Sequence, residues 1–375
     1  MRAKNTKQRI SFRQVKSISN AVVKWFEREQ RALPWREDPS PYRVWISEIM
    51  AQQTRIETVL PYFSRFIKRF PDVNALADAS LDEVLSMWSG LGYYSRAQNL
   101  HKAAKIIVER HGSGLPRDIK SLRALPGIGR YTAGAIASIA FDIPEPVLDG
   151  NIMRVLSRIF DLGGDIRSSH IRGRLWDIAS AMIPQKNSRS FNQGLMELGA
   201  LICTPKSPKC RECPVRFHCL SSARGTIADR PVKTARKASP IIYLIVAVIY
   251  RKDGALLLAQ NDYKKLFGGL WLFPQIQIEK SELEKSSKND LAKHFENHIG
   301  VRLSIRKKIG SIRHVLTHRK LILTLYECSI RDEKQFNPSG YRSFRWVKNS
   351  RGLDGLGLAA ITKKMLVKIG FLPSE

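Results

Sequence analysis

Cys203, Cys210, Cys213 and Cys219 lie within 17 residues in the spacing C-x6-C-x2-C-x5-C, and the fifth cysteine, Cys328, stands more than a hundred residues downstream. Four thiolates this close can surround one metal centre without a distant partner, which ties down whatever fold carries them. An all-thiolate set of four suits a structural zinc or a [4Fe–4S] cluster. Zinc sites usually pair their cysteines as two C-x2-C knuckles, and only Cys210 and Cys213 form such a pair, so the spacing favours the cluster. Two disulfides would need an oxidising compartment. Met1-Arg2-Ala3-Lys4 opens no apolar signal-peptide core, and no run approaches ~18 uninterrupted apolar residues. The expectation is a soluble, cytoplasmic chain without membrane attachment.

The charge balance points to the partner. Lys and Arg number 63 against 33 Asp and Glu, a formal charge of +30 with a pI near 10.2. Such an excess makes a long-range positive field that attracts polyanions. Nucleic acid fits, and a ribosome-bound protein or a surface for anionic lipid would share the signature. With 375 residues and 43% hydrophobic content, the chain can bury two cores. Residues 11 to about 223 show helical apolar periodicity. The stretch 225–240, with Asp229-Arg230-Pro231-Val232-Lys233 and Ser239-Pro240, has linker composition. After it the period changes: Ile241 to Tyr250 is β-branched, Asp253-Gly254 signals a hairpin, and Ala255 to Ala259 resumes a strand. Helices are expected near 284–298 and 358–369. The predicted organisation is a helical domain over 1–224, a linker over 225–240 and a mixed α/β module over 241–375.

In the first half, Leu125-Pro126-Gly127-Ile128-Gly129-Arg130 separates a short helix (119–124) from a second running to about 140, a helix-hairpin-helix. Gly127 and Gly129 permit a tight turn whose backbone N–H groups can hold a phosphate oxygen regardless of base sequence, while Ile128 plugs the turn into the core. Val147-Leu148-Asp149-Gly150-Asn151 opens another helix, and the cysteine loop follows at 203–219.

Hairpin, Asp-Gly-Asn and cysteine loop in this order resemble the helix-hairpin-helix DNA glycosylase superfamily. The match is closest to the MutY-type adenine DNA glycosylases, carried also by Leu33-Pro34-Trp35-Arg36, Ser47-Glu48-Ile49-Met50, Gln52-Gln53-Thr54-Arg55 and Gly90-Leu91-Gly92-Tyr93-Tyr94. The resemblance spans nearly the whole chain. It implies an all-α glycosylase domain bearing a [4Fe–4S] cluster on the four cysteines, followed by an α/β Nudix-like domain.

Adenine leaves its sugar once a ring nitrogen is protonated, so the chemistry needs a carboxylic acid kept neutral near pH 7. Glu48 sits beside an apolar stripe (Trp45, Ile49, Ile56, Leu60, Phe63) expected on one helix started by Ser40-Pro41. Apolar walls raise a carboxyl pKa, though from the residues alone a solvent-facing or capping glutamate fits equally well. The resemblance makes Glu48 the donor to N7 of adenine. Asp149 is expected as an N-cap, which would keep it ionised to stabilise a sugar cation. By resemblance, Asn151 orients the acid and the attacking water. Relatives that also nick the strand carry a lysine where this chain has Tyr131; neither Lys120 nor Lys186 takes that place. A monofunctional enzyme leaving an abasic site follows, with Tyr131 lining the pocket and bonding Asp149 or the sugar.

A base in a duplex must be flipped and its gap filled. By resemblance Gln53 and Tyr93 wedge into the stack, and Arg31, Trp35 and Arg36 shape the adenine pocket. Lys206, Lys209, Arg211 and Arg216 would present the cluster loop to phosphate. In the second half, Gly269-Leu270-Trp271-Leu272-Phe273-Pro274 resembles a Nudix fold. Leu291 to Gly300, where a hydrolase would carry its metal-binding glutamates, holds only Glu296. The module is therefore expected to be catalytically dead and to recognise 8-oxoguanine opposite the target adenine through Thr317 and His318, where many relatives have serine at position 317. The implied partner is duplex DNA with adenine opposite 8-oxoguanine or guanine, bound by a monomer. Competing readings are a thymine or uracil mismatch glycosylase of the same fold, a non-catalytic iron–sulfur DNA-binding protein, and a Nudix pyrophosphohydrolase on a DNA tether.

Overall fold

Helical apolar periodicity gives way to β-branched runs beyond about residue 223, and the computed structural model, described over residues 12–234, 239–331 and 339–373, divides accordingly into helices and then a sheet. The helices are α1 (Phe12–Glu29), α2 (Pro34–Glu37), α3 (Pro41–Ala51), α4 (Ile56–Arg69), α5 (Val73–Asp78), α6 (Leu81–Met87), α7 (Ser95–His111) and α8 (Ile119–Ala124). There follow α9 (Arg130–Phe141), α10 (Gly150–Ile159), α11 (Ser169–Met182), α12 (Ser188–Glu197) and α13 (Leu220–Ala223). Among the described residues the chain packs as two units, one of 1–77 with 102–236 and one of 78–101 with 237–375.

In the first unit α12 packs against α1 and α9, and α3 packs against α9. The core is a continuous apolar cluster that includes Ile18, Val22, Phe26, Ile152, Leu156, Leu175 and Leu195. The hairpin turn between α8 and α9 forms as expected: Gly127 takes φ +80°, a left-handed conformation that glycine adopts without strain. Ile128 is buried between two exposed glycines.

The single helix expected to carry Trp45 through Phe63 divides into α3 and α4. Gln53 adopts φ +56°, which no right-handed helix accommodates, so the chain turns over 52–55. Ser40 precedes α3 with Pro41 in its first turn, but its side chain makes no capping bond.

The second unit is built on a seven-stranded sheet: β1 (Ile241–Tyr250), β2 (Leu256–Gln260), β3 (Trp271–Leu272), β4 (Gln275–Ile278), β5 (Leu303–Leu316), β6 (Arg319–Ile330) and β7 (Ser343–Val347). Strand order runs β3-β2-β1-β6-β5, with β4 also on β1 and β7 also on β2. Among the described strands only β1 and β6 run parallel, in register from Ile241 with Lys320 to Tyr250 with Ser329. The helix expected near 284–298 is two, α14 (Lys280–Lys285) and α15 (Lys288–Ile299), because Ser287 and Asp290 form a capping box that starts a new helix. The last helix is α16 (Ala360–Lys368).

The packing departs from the expected domain boundary in one segment. Residues 78–101 were expected in the helical domain and instead pack with the sheet. Their polar groups account for it: Gln260 Nε2 donates to Asp82 Oδ1 (2.6 Å), Gln98 Nε2 to the Gly268 carbonyl (2.7 Å), and Ser89 Oγ and Tyr94 Oη both to the Leu358 carbonyl (3.1 Å). A Cβ on Gly357 would lie 2.8 Å from Leu85 Cβ, so glycine is what permits this approach.

Candidate active site

Glu48 stands on α3 between fully buried neighbours, with Ser47, Ile49 and Met50 closing around it. Its carboxylate accepts a hydrogen bond of 2.9 Å from Tyr131 Oη on α9. The sequence expectation had Tyr131 bonding Asp149 or the sugar; the phenol instead points at Glu48, with the Met196 sulfur 3.9 Å behind it. Burial is the main force on Glu48 and raises its pKa to about 7, aided by the charge of Asp149 and opposed by the Tyr131 hydrogen bond and Arg36.

Asp149 caps α10 as expected, accepting the Ile152 N–H at 2.7 Å. It is not simply held ionised, however. Burial pushes its pKa up, and the backbone N–H groups of Ile152 and Asn151 and the charge of Arg154 pull against that. Those donors hold the Asp149 carboxyl at the start of α10, whereas the Glu48 carboxyl accepts from the Tyr131 phenol.

Both acids line one cavity of about 910 Å3 in the helical unit, together with Tyr131, Asn151, Arg31, Trp35, Arg36 and Gln53. Eight of the residues singled out from sequence therefore converge on one space. Tyr93, Gly127, Gly129, Thr317 and His318 do not line it. The two glycines lie at the α8–α9 turn. In the second unit Thr317 and His318 form the turn between β5 and β6, and the Thr317 hydroxyl hydrogen-bonds Tyr93 Oη. Tyr93, like Gln53, adopts a positive φ (+48°) that places an aromatic residue in the left-handed region.

The four cysteines of the loop are unpaired thiols that line a single small cavity walled by Val155, Ile159, Leu198, Ile202 and Val215. Disulfides, one of the readings open in the sequence, are not formed. Among the described residues no three His, Cys, Asp or Glu side chains are disposed to hold a single metal ion. Arg158, 2% exposed, clasps the loop: it donates to the carbonyls of Thr204 (2.7 Å), Pro205 (3.1 Å) and Arg230 (3.0 Å) and approaches Cys203 Sγ at 3.4 Å. The donor set and its apolar walls fit an all-thiolate centre.

Comparison with known proteins agrees with this layout. Residues 46–181 match the family model described as HhH-GPD superfamily base excision DNA repair protein, and residues 245–368 match that of the NUDIX domain. The chain is 38% identical to an adenine DNA glycosylase of Buchnera aphidicola from Schizaphis graminum, over 80% of this chain and 84% of that one. It is 34% identical to the mouse adenine DNA glycosylase, over 88% and 74% respectively. The chain belongs to the adenine DNA glycosylases. Among solved structures, a thermostable thymine-DNA glycosylase resembles it with TM-score 0.52 at 27% identity, over 56% of this chain and 98% of that one.

Several residues that line the cavity of this adenine DNA glycosylase family member were not singled out from sequence. Glu197, 1% exposed, accepts from Arg31 Nε (2.6 Å) and Arg36 Nη2 (2.8 Å), and Arg36 Nε donates to Gln193 Oε1 (3.0 Å). Gln193 and Glu197 are four residues apart on α12, a spacing that puts both on one face and was readable in principle. Arg154 Nη2 donates to Asn151 Oδ1 (3.0 Å) and to the Gly199 carbonyl (2.7 Å), while its Nε donates to the Cys203 carbonyl (2.8 Å). One buried guanidinium thus spans from the Asp-Gly-Asn turn to the first cysteine. Between them α12 passes into a π-helical turn (Leu198–Ile202), a local widening often found at functional sites. Gly199 is required there, since a Cβ would fall 2.7 Å from that of Asn151. No described helix is long and apolar enough to cross a membrane.

Proposed function

We propose that this chain excises adenine from duplex DNA opposite 8-oxoguanine or guanine and leaves an abasic site. The observation that carries the reading is the pair Glu48 and Asp149 in one cavity, with Tyr131 on the first and the start of α10 on the second. Glu48, protonated up to about pH 7, donates its proton to N7 of adenine. The C1′–N9 bond breaks with its electron pair passing to the departing base, and the sugar cation that forms is stabilised by the Asp149 carboxylate. Water, oriented by Asn151, adds to C1′ and returns a proton to Glu48. Tyr131 has no amine to attack C1′, which supports a glycosylase without strand-nicking activity.

Cys203, Cys210, Cys213 and Cys219, four free thiols on one apolar-walled cavity, would hold a [4Fe–4S] cluster through an all-thiolate donor set. The group would brace the loop that presents Lys206, Lys209, Arg211 and Arg216 to phosphate. In the second unit, Thr317 would donate to or accept from the altered N7/O8 edge of 8-oxoguanine, with Tyr93 beside it as the wedge. A hydrolytic role for the Nudix-like module has no support, since Glu296, alone in the stretch 291–300, is tied to Arg302 at 2.8 Å.

The test is single-turnover cleavage of a duplex with adenine opposite 8-oxoguanine, scored with and without alkali, for wild type and Glu48→Gln. Breaks only after alkali, lost in Glu48→Gln, are expected. Breaks without alkali would overturn the monofunctional reading, and cleavage confined to thymine opposite guanine would favour the mismatch glycosylase reading.

A further inference from the structure

We propose that Lys233 grips a phosphate of the extruded nucleotide, delivered to the excision cavity by a segment whose composition reads as a free linker. The inference rests on the excision reading above and adds a substrate contact to it.

The segment 225–234 is pinned to the helical unit along its length. Thr226 Oγ1 and Arg230 Nε both reach Asp161 (2.7 and 2.8 Å), and Arg158 holds the Arg230 carbonyl. Around Lys233 the grip tightens. The Ile166 N–H donates to the Val232 carbonyl (3.2 Å), within a parallel bridge between Asp165 and Val232. Thr234 Oγ1 donates to Asp165 Oδ2 (2.5 Å), and Arg167 Nη1 donates to the Thr234 carbonyl (2.8 Å). Both neighbours of Lys233 are thus bonded to the same turn over 165–167. Lys233 itself lies at the wall of the cavity that holds Glu48 and Asp149.

Charge separates this lysine from most of its companions. Of the cations that line the cavity, Arg31 and Arg36 are closed on Glu197, and Arg154 is consumed by Asn151 and two carbonyls. Arg55 and Lys233 form no ion pair among the described residues. A nucleotide entering the cavity brings its flanking phosphates toward the Asp149 carboxylate that the excision reading requires, and like charge opposes entry. A lysine ammonium on a flexible stem is a point-charge phosphate binder, and it offsets that repulsion without needing a fixed approach angle.

The experiment is equilibrium binding across a salt series, using the full chain with its four-cysteine centre loaded. Its two probes are a duplex with a non-hydrolysable adenine nucleotide opposite 8-oxoguanine and a fully matched duplex. Lys233→Gln is expected to reduce the slope of log K against log salt by about 0.9 on the first duplex and to leave the second unchanged, with Lys233→Arg restoring the wild-type slope. An unchanged slope in a Lys233→Gln protein that melts like wild type would overturn the proposal. So would an equal loss on both duplexes, which would mark a general backbone contact, or a hydride-trapped DNA adduct lost with Lys233, which would mark a nucleophile. Excision of adenine by wild type, measured in parallel, tests the parent reading separately from the slope.

Discussion

Tyr131 Oη donates a 2.9 Å hydrogen bond to Glu48 Oε2, across 83 residues of sequence. The bond favours the ionised carboxylate, so Tyr131 works against the burial that keeps Glu48 protonated. Tyr131→Phe removes that restraint and leaves the apolar body of the ring. The expected result is a pH–rate profile for excision whose alkaline limb lies at higher pH than in wild type. An alkaline limb that stays in place or moves down would show that the phenol does not control the acid.

Glu48 also couples stability to pH. Its pKa is raised from 4.5 to about 7 on folding, so its contribution is fully present below the unfolded value and is lost as pH rises through the folded one. At about 1.4 kcal/mol per tenfold in proton affinity, ionising it in place costs about 3 kcal/mol. Glu48→Gln should lower excision by about 10²–10⁴-fold and yet be more stable than wild type at pH 8, with the advantage vanishing near pH 4.5. Chemical denaturation at the two pH values checks this.

Arg154 joins Asn151 to the carbonyls of Gly199 and Cys203. Arg154→Met would remove this donor from all three acceptors, of which the Cys203 carbonyl keeps Arg158 Nη1 at 3.5 Å, at a cost of roughly 1–3 kcal/mol for each left unsatisfied. The expected outcome is a lower melting temperature together with reduced excision at saturating DNA. Unaltered excision would separate the guanidinium from the Asp149–Asn151 turn.

The Thr317 hydroxyl hydrogen-bonds Tyr93 Oη. Thr317→Val keeps the branched shape and removes the hydroxyl. Discrimination between 8-oxoguanine and guanine opposite adenine should fall by about 5–10-fold, the worth of one hydrogen bond of ~1 kcal/mol, while the rate opposite guanine is retained. Thr317→Ser should preserve the preference. Equal losses opposite both bases would assign Thr317 to general binding.

Much of the fold was legible because it depends on local chemistry. The α8–α9 hairpin needs a Pro-Gly-x-Gly turn, Asp149 is a strong N-cap, and the β-branched run from Ile241 can hardly be a helix. The break between α3 and α4 was not legible, since Gln53 takes a left-handed φ that its side chain does not advertise. For the site, Glu48, Tyr131, Asp149 and Asn151 were identified through their strings and meet in one cavity. Their couplings were not: Tyr131 chose Glu48 over Asp149, and burial raised Asp149 where capping alone would lower it. Glu197 escaped notice because a buried acid answering two arginines is a tertiary fact, as is the pinned course of residues 225–234.

The second unit is assembled from two stretches of chain that emerge from a ribosome far apart in time. Gln98 and its acceptor, the Gly268 carbonyl, are separated by 170 residues, which at about 5–20 residues per second is roughly 10–30 s of synthesis. Through that interval the apolar side chains of 78–101, including Leu85 and Trp88, which end fully buried, have only part of their final surroundings. A ribosome stalled before residue 256 would therefore hold a nascent chain with an unfinished apolar surface, and nascent-chain protease sensitivity concentrated in 78–101 should disappear once α16 has cleared the exit tunnel.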